Sequence, residues 1–260
     1  MQDLYQFTPG EQPLDRICPD GGATAIFRTI ACVGDSLSSG EFESAKPDGS
    51  SDYHDMFEYS WGQYLARMCG SKVFNLSRGG MTAKEFCQTF GDANRMWAPD
   101  KAAQAYIVAL GVNELFSVND PLGTLEDAFA DPTDPAHDTF AGWYGLLLRR
   151  FRAIQPRAKF FLLTMPRYHE GDEGEPKRAA HAELIRQLAA RLDNTYVVDL
   201  FTYAPRYDEA FRERYFLRGH MNPLGYLLSA KMIGSYIDYI IRRDPQAFAE
   251  VGFIGTDLHG

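Results

Sequence analysis

The sequence has no CxxC pair and no cysteine beside a histidine at metal-ligand spacing. Its four cysteines, Cys18, Cys32, Cys69 and Cys87, therefore give no zinc or dithiol redox motif and read as reduced structural thiols. No cofactor and no metal are expected. Positive charge is short as well: 26 basic residues against 35 acidic ones leave a net charge of -9. That argues against nucleic acid or an anionic membrane as the main partner, because both need a positive patch. No apolar stretch approaches the ~20 residues that span a bilayer. The start, MQDLYQFTPGEQ, has neither the basic opening nor the apolar stretch of a signal peptide, so the expected location is cytoplasmic. No GxGxxG or GxxxxGK[ST] follows the first apolar run, which speaks against a nucleotide or flavin site. There is no Gly/Ser-rich linker, repeat or low-complexity segment either, and one domain over residues 1–260 is the simplest account.

What is present is alternation. Short apolar or β-branched runs at 29–33, 72–76, 105–110, 159–164 and 195–200 read as strands buried on both faces. Between and after them, 60–68, 82–90, 139–154, 176–192 and 223–242 carry helical period, the last with Asn222 as cap and Pro223 at the first helical position. Repeated strand–helix units predict an α/β fold with a parallel sheet of about five strands and helices on both faces. Three polar stretches, 41–58, 116–138 and 167–175, are expected as irregular loops at the C-terminal ends of strands, where open α/β sheets bind ligands. Residues 1–24 are expected as an irregular extension, packed in part through Leu4, Tyr5 and Phe7.

Four local patterns carry chemistry. The first strand runs into Gly34-Asp35-Ser36-Leu37-Ser38, which puts Ser36 at the mouth of the sheet, although a lone Gly-Asp-Ser also fits a turn or cap. The second gives Asn75-Leu76-Ser77-Arg78-Gly79-Gly80-Met81-Thr82, where Gly80 can turn its N–H toward the crevice. The third ends in Gly111-Val112-Asn113-Glu114, with an amide able to donate to an oxyanion. The fourth, Arg218-Gly219-His220-Met221-Asn222-Pro223, places a histidine just before the last helix. Nucleophile, base and oxyanion donors together are the parts for acyl transfer on a small-molecule ester.

In these blocks and their order the sequence resembles the GDSL esterase/lipase family, the SGNH hydrolases, over most of the chain. The resemblance implies a three-layer α/β/α flavodoxin-like sandwich and ester hydrolysis without metal or cofactor. It implies Ser36 as nucleophile and His220 as general base. The oxyanion hole would be formed by the Ser36 and Gly80 N–H groups and the Asn113 amide. Two departures stand out. Asn113-Glu114 replaces the family's Asn-Asp, and Leu217 stands where the family has an acid three residues before the histidine. A backbone carbonyl near Leu217 could orient the imidazole, Asp199 could reach across, or the pair could work as a dyad; the carbonyl or dyad is the favoured expectation.

The leading reading is a serine esterase for short acyl groups, acetyl foremost, on a carbohydrate or small metabolite, with Trp61, Tyr53, Phe57, Tyr59 and Trp143 as candidate sugar-stacking residues that more often serve as packing. A thioesterase or lysophospholipase of the same family is the alternative, and a catalytically weak binding module is a third reading, because of Leu217. Oligomeric state is not legible.

Overall fold

The computed structural model describes residues 7–250. Seven strands are used below: β1 (Thr29–Gly34), β2 (Glu41–Ala45), β3 (Ser51–Asp55), β4 (Lys72–Ser77), β5 (Ala105–Ala109), β6 (Lys159–Leu163) and β7 (Thr195–Val198). Five of them form one parallel sheet in the order β4-β1-β5-β6-β7. Counting only these strands along the chain, the order reads 2-1-3-4-5, so the chain reverses direction across the sheet between β1 and β5. Each of the five lies where an apolar run predicts it.

Alternate residues of the strands serve two cores. Ala31, Val33, Leu76, Tyr106, Val108, Phe160 and Leu162 pack on one face with the helices Phe140–Ile154 and Glu175–Arg191. Ile30, Cys32, Ile107, Phe161 and Leu163 pack on the other with Trp61–Cys69 and Pro223–Arg243. This is a three-layer α/β/α sandwich, and burial on both faces is why the strands read as continuous apolar runs rather than alternating ones. Side-chain caps start the helices: Ser60 accepts from Gln63, Thr139 from Gly142 and Asn222 from Gly225. The expected helix at 82–90 is an α-turn (Ala83–Glu85) that passes into a π-helical turn (Phe86–Phe90).

The stretch 41–58 is not irregular. It contains an antiparallel hairpin, β2 paired with β3, followed by a short 3-10 turn. A second, two-residue ladder joins Phe216–Leu217 to His220–Met221. The N-terminal segment is anchored rather than loose from Phe7 on. Asp238 on the last helix accepts from Ala23 N (2.7 Å), Cys18 Sγ (3.4 Å) and Arg242 Nε (2.7 Å), and Arg242 also pairs with Glu11. Phe7 packs against Tyr239 with ring centroids 5.5 Å apart, while Leu4 and Tyr5 lie outside the described residues. All four cysteines are buried and free.

Candidate active site

Ser36 is the first residue of a one-turn helix (Ser36–Ser39) directly after β1, half-buried at the C-terminal rim. Asp35 caps that turn, accepting from Leu37 N at 3.1 Å. It is itself buried, and burial pushes its carboxyl up to about 6. Both lie beside the point where the chain reverses across the sheet, the place in an open α/β fold where neighbouring loops diverge and leave a crevice.

The loops after β4 and β5 meet at the same point. Gly80 adopts φ +70, which a glycine takes without strain, and is exposed. Among the described residues neither its N–H nor that of Ser36 donates to a protein acceptor. Asn113, half-buried, begins a π-helical turn (Asn113–Val118), and its Nδ2 donates to Met81 O at 3.1 Å. One amide proton thereby holds the side chain to the Gly80 loop and leaves the other for a ligand. Glu114 makes a second tie between the same loops: Oε1 accepts from Ala83 N at 2.6 Å. Glu114 is almost fully buried, and burial pushes its carboxyl up to about 7.

His220 sits on the small Phe216–Met221 ladder, which packs against the Ser36 turn and against β2. Its ring lies between two carboxylates. Nε2 is 3.1 Å from Glu41 Oε1 and Nδ1 is 3.3 Å from Glu43 Oε2. Glu43 also accepts from Ser51 Oγ (2.5 Å), Gly219 N (2.8 Å) and Arg218 Nε (3.2 Å). The Ser51 bond above all, with the Gly219, His220 and Arg218 bonds, outweighs burial and holds the Glu43 carboxyl down at about 2. Glu41 moves the other way, raised by burial. Among the described residues no hydrogen bond joins Ser36 Oγ to His220; the structure brings the two onto adjacent elements, with Glu41 at Nε2.

The expectations for the ring's partner are corrected here. Asp199 caps the following helical turn and is bound by Thr164 Oγ1 (3.0 Å) and Arg186 (2.9 Å), so it is not the partner of His220. No carbonyl near Leu217 meets Nδ1; a carboxylate does. Sequence reasoning missed both Glu41 and Glu43, which stand nearly 180 residues before the histidine. The available signal was the turn-forming run Lys46-Pro47-Asp48-Gly49-Ser50 between Glu41–Ala45 and Ser51–Asp55.

The GDSL-like lipase/acylhydrolase family model matches residues 32–228, most of the chain. The chain belongs to the GDSL-like lipase/acylhydrolase family. By membership it is a carboxylic ester hydrolase, with a small-molecule ester as substrate class. None of the curated proteins matches it. Solved structures share the fold of this GDSL hydrolase. One is a lipolytic protein of the G-D-S-L family from Desulfitobacterium hafniense (15% identity, TM-score 0.52, covering 80% of this chain and 99% of that one). Another is a family 3 carbohydrate esterase from Clostridium thermocellum (16%, TM-score 0.53, 83% and 97%). A third is a family two carbohydrate esterase from the same organism in complex with cellohexaose (17%, TM-score 0.56, 85% and 65%).

An apolar pocket of about 90 Å³ opens beside the site of this hydrolase. Leu37, Trp61, Leu163, Met165, Tyr207 and Ile233 line it, with Val112 and Met221, the neighbours of Asn113 and His220. Of the aromatic candidates, Trp61 and Trp143 are buried. Tyr53 is 56% exposed and stands edge-on to His220, centroids 5.7 Å apart. No helix of the described residues is long and apolar enough to cross a membrane.

Proposed function

We propose that this GDSL hydrolase is a serine esterase that removes short acyl groups, acetyl foremost, from a carbohydrate or small metabolite through an acyl-enzyme on Ser36. The observation that carries the reading is the meeting of four loops, those of Ser36, Gly80, Asn113 and His220, at the point where the chain reverses across the sheet. Ser36 Oγ attacks the ester carbonyl as His220 Nε2 takes its proton, the ring exchanging Glu41 for the serine hydroxyl. The oxyanion that forms is met by the free N–H groups of Ser36 and Gly80 and by the Asn113 amide. Collapse expels the alcohol, which takes the proton from His220. Water, activated by the same imidazole, then releases the acid. Exposed Tyr53 beside His220 offers a face for a sugar ring at the alcohol side. The carbohydrate esterases among its structural neighbours agree with that substrate class.

A second reading, a hydrolase of longer acyl esters or thioesters, is favoured by the apolar pocket, whose lining suits a hydrocarbon chain better than an acetyl group. Hydrolysis of p-nitrophenyl acetate, butyrate and octanoate by the parent and by Ser36→Ala tests both. An inert alanine variant with an acetate optimum supports the esterase reading. An octanoate optimum supports the second, and an alanine variant as active as the parent removes both.

A further inference from the structure

Position 217 lies opposite His220 in the short antiparallel ladder. Directly opposed residues share a face, so an acid at 217 would stand beside the imidazole. Leu217 has nothing to offer Nδ1, and it is 47% exposed. A carboxylate reaches the ring from another element instead. The β2–β3 hairpin packs against the ladder that carries His220, and Glu43, at the centre of β2, meets Nδ1.

We propose that Glu43 is the positioning residue of this enzyme, supplying from the hairpin the acid that position 217 lacks. The inference rests on the Ser36–His220 reading. Two features separate Glu43 from its neighbour Glu41, the donors that hold it and the ring nitrogen it faces. Its carboxylate is fixed by three donors besides His220, namely Ser51, Gly219 and Arg218. A glycine stands hard against each carboxylate, Gly219 against Glu43 and Gly79 against Glu41, so close approach alone does not tell the two apart; a Cβ at 219 would lie 2.5 Å from Glu43 Oε2. Glu41, by contrast, has His220 as its one ion-pair partner among the described residues and faces Nε2, the nitrogen that must be released to Ser36. An ionised carboxylate can only accept, so the bond to Glu43 places a proton on Nδ1 and leaves Nε2 as the basic nitrogen. When Nε2 takes the serine proton, Glu43 faces the imidazolium and stabilises it without itself being protonated.

The test uses the full chain and p-nitrophenyl acetate, with Ser36→Ala and His220→Ala run alongside. Glu43→Gln and Glu43→Ala are expected to lower kcat by about 10²–10⁴-fold with KM within about threefold, and Glu43→Asp to recover part of the loss. The proton spectrum gives a second readout: a far-downfield Nδ1–H resonance in the parent, absent from Glu43→Gln and from His220→Ala. Gly219→Ala, which displaces the carboxylate without removing it, is expected to lower kcat in the same way and covers the case in which the Glu43 variants fail to fold. A Glu43→Gln or Gly219→Ala protein with parent kcat, or an unchanged downfield resonance in Glu43→Gln, overturns the assignment. If Ser36→Ala and His220→Ala are inert while Glu43→Gln is not impaired, only this inference fails. If they keep parent activity, the acyl-enzyme reading fails beneath it.

Discussion

Glu114 Oε1 accepts the Ala83 N–H at 2.6 Å, which ties the loop carrying Asn113 to the loop carrying Gly80. With the Asn113–Met81 bond it makes two ties between the segments that would hold an oxyanion. Such donors act by being fixed in advance, so a buried carboxyl that no ligand touches still bears on the site.

The Glu114 carboxyl is raised from its ordinary 4.5 to about 7, chiefly by burial. An acid with a raised folded-state pKa binds its proton more tightly in the native chain, so stability falls as pH rises from about 4.5 to about 7 and stays lower above that. Asp35, raised to about 6, acts in the same direction. Glu114→Gln keeps an acceptor for Ala83 without the ionisation. Its denaturant midpoint is expected to gain on the parent between pH 5 and 8, and a constant difference between the two proteins over that range speaks against the assignment. Glu114→Ala leaves the Ala83 N–H buried without a partner and is expected to cost about 1–3 kcal/mol near pH 5, a deficit that narrows toward pH 8 because the variant also lacks the ionisation.

Asn113→Ala removes the proposed oxyanion donor and the tether to Met81 together. A donor that strengthens as charge develops contributes to kcat rather than KM, so kcat is expected to fall about 10²–10³-fold with KM nearly constant. Steady-state rates on p-nitrophenyl acetate check it. A change confined to KM would place Asn113 in ground-state binding instead.

The sheet was legible because each strand is buried on both faces and therefore reads as an unbroken apolar run. The Asn222 cap was legible because it stands directly before Pro223 and a helical period, whereas Ser60 and Thr139, read as the first residues of their helices, are the caps. The hairpin was not. Glu43 and Glu41 face His220 rather than a core, so its inward positions are acidic and the period-2 signal of a strand vanishes. Nor could any spacing rule join Glu43 to a ring met only through tertiary packing. The π-helical turns at Phe86–Phe90 and Asn113–Val118 keep helical composition, and their extra residue leaves no mark in periodicity.

Asp238 is buried on the last helix, where it accepts from Ala23, Cys18 and Arg242 at once. Removing one partner of a buried ion pair leaves a charge without compensation, at about 3–5 kcal/mol. Arg242 keeps Glu11, which moderates that cost. Asp238→Ala is expected to lower Tm by about 6–10 °C, toward the lower end for a chain of this size. It is also expected to loosen residues 7–24, read by faster amide exchange there than in the sheet. A variant with unchanged exchange in that segment would show the segment is held by its apolar contacts alone.

The apolar pocket beside Leu37 separates the two substrate readings. If an acyl chain enters it, each buried methylene contributes about 0.8 kcal/mol, so kcat/KM rises roughly fourfold per methylene until the pocket is full. If the acyl group is acetyl, no such rise occurs. Val112 is half-buried on the pocket wall next to Asn113, so a larger side chain there can lean outward rather than overpack a closed core. Val112→Phe is therefore expected to spare acetate hydrolysis in either case. It should lower octanoate turnover by about tenfold or more only where the chain uses the pocket. A parallel loss on both esters would mean that the substitution has moved Asn113 rather than narrowed the pocket, and a Val112→Leu control, one methylene larger, tells these apart by its graded effect on octanoate alone.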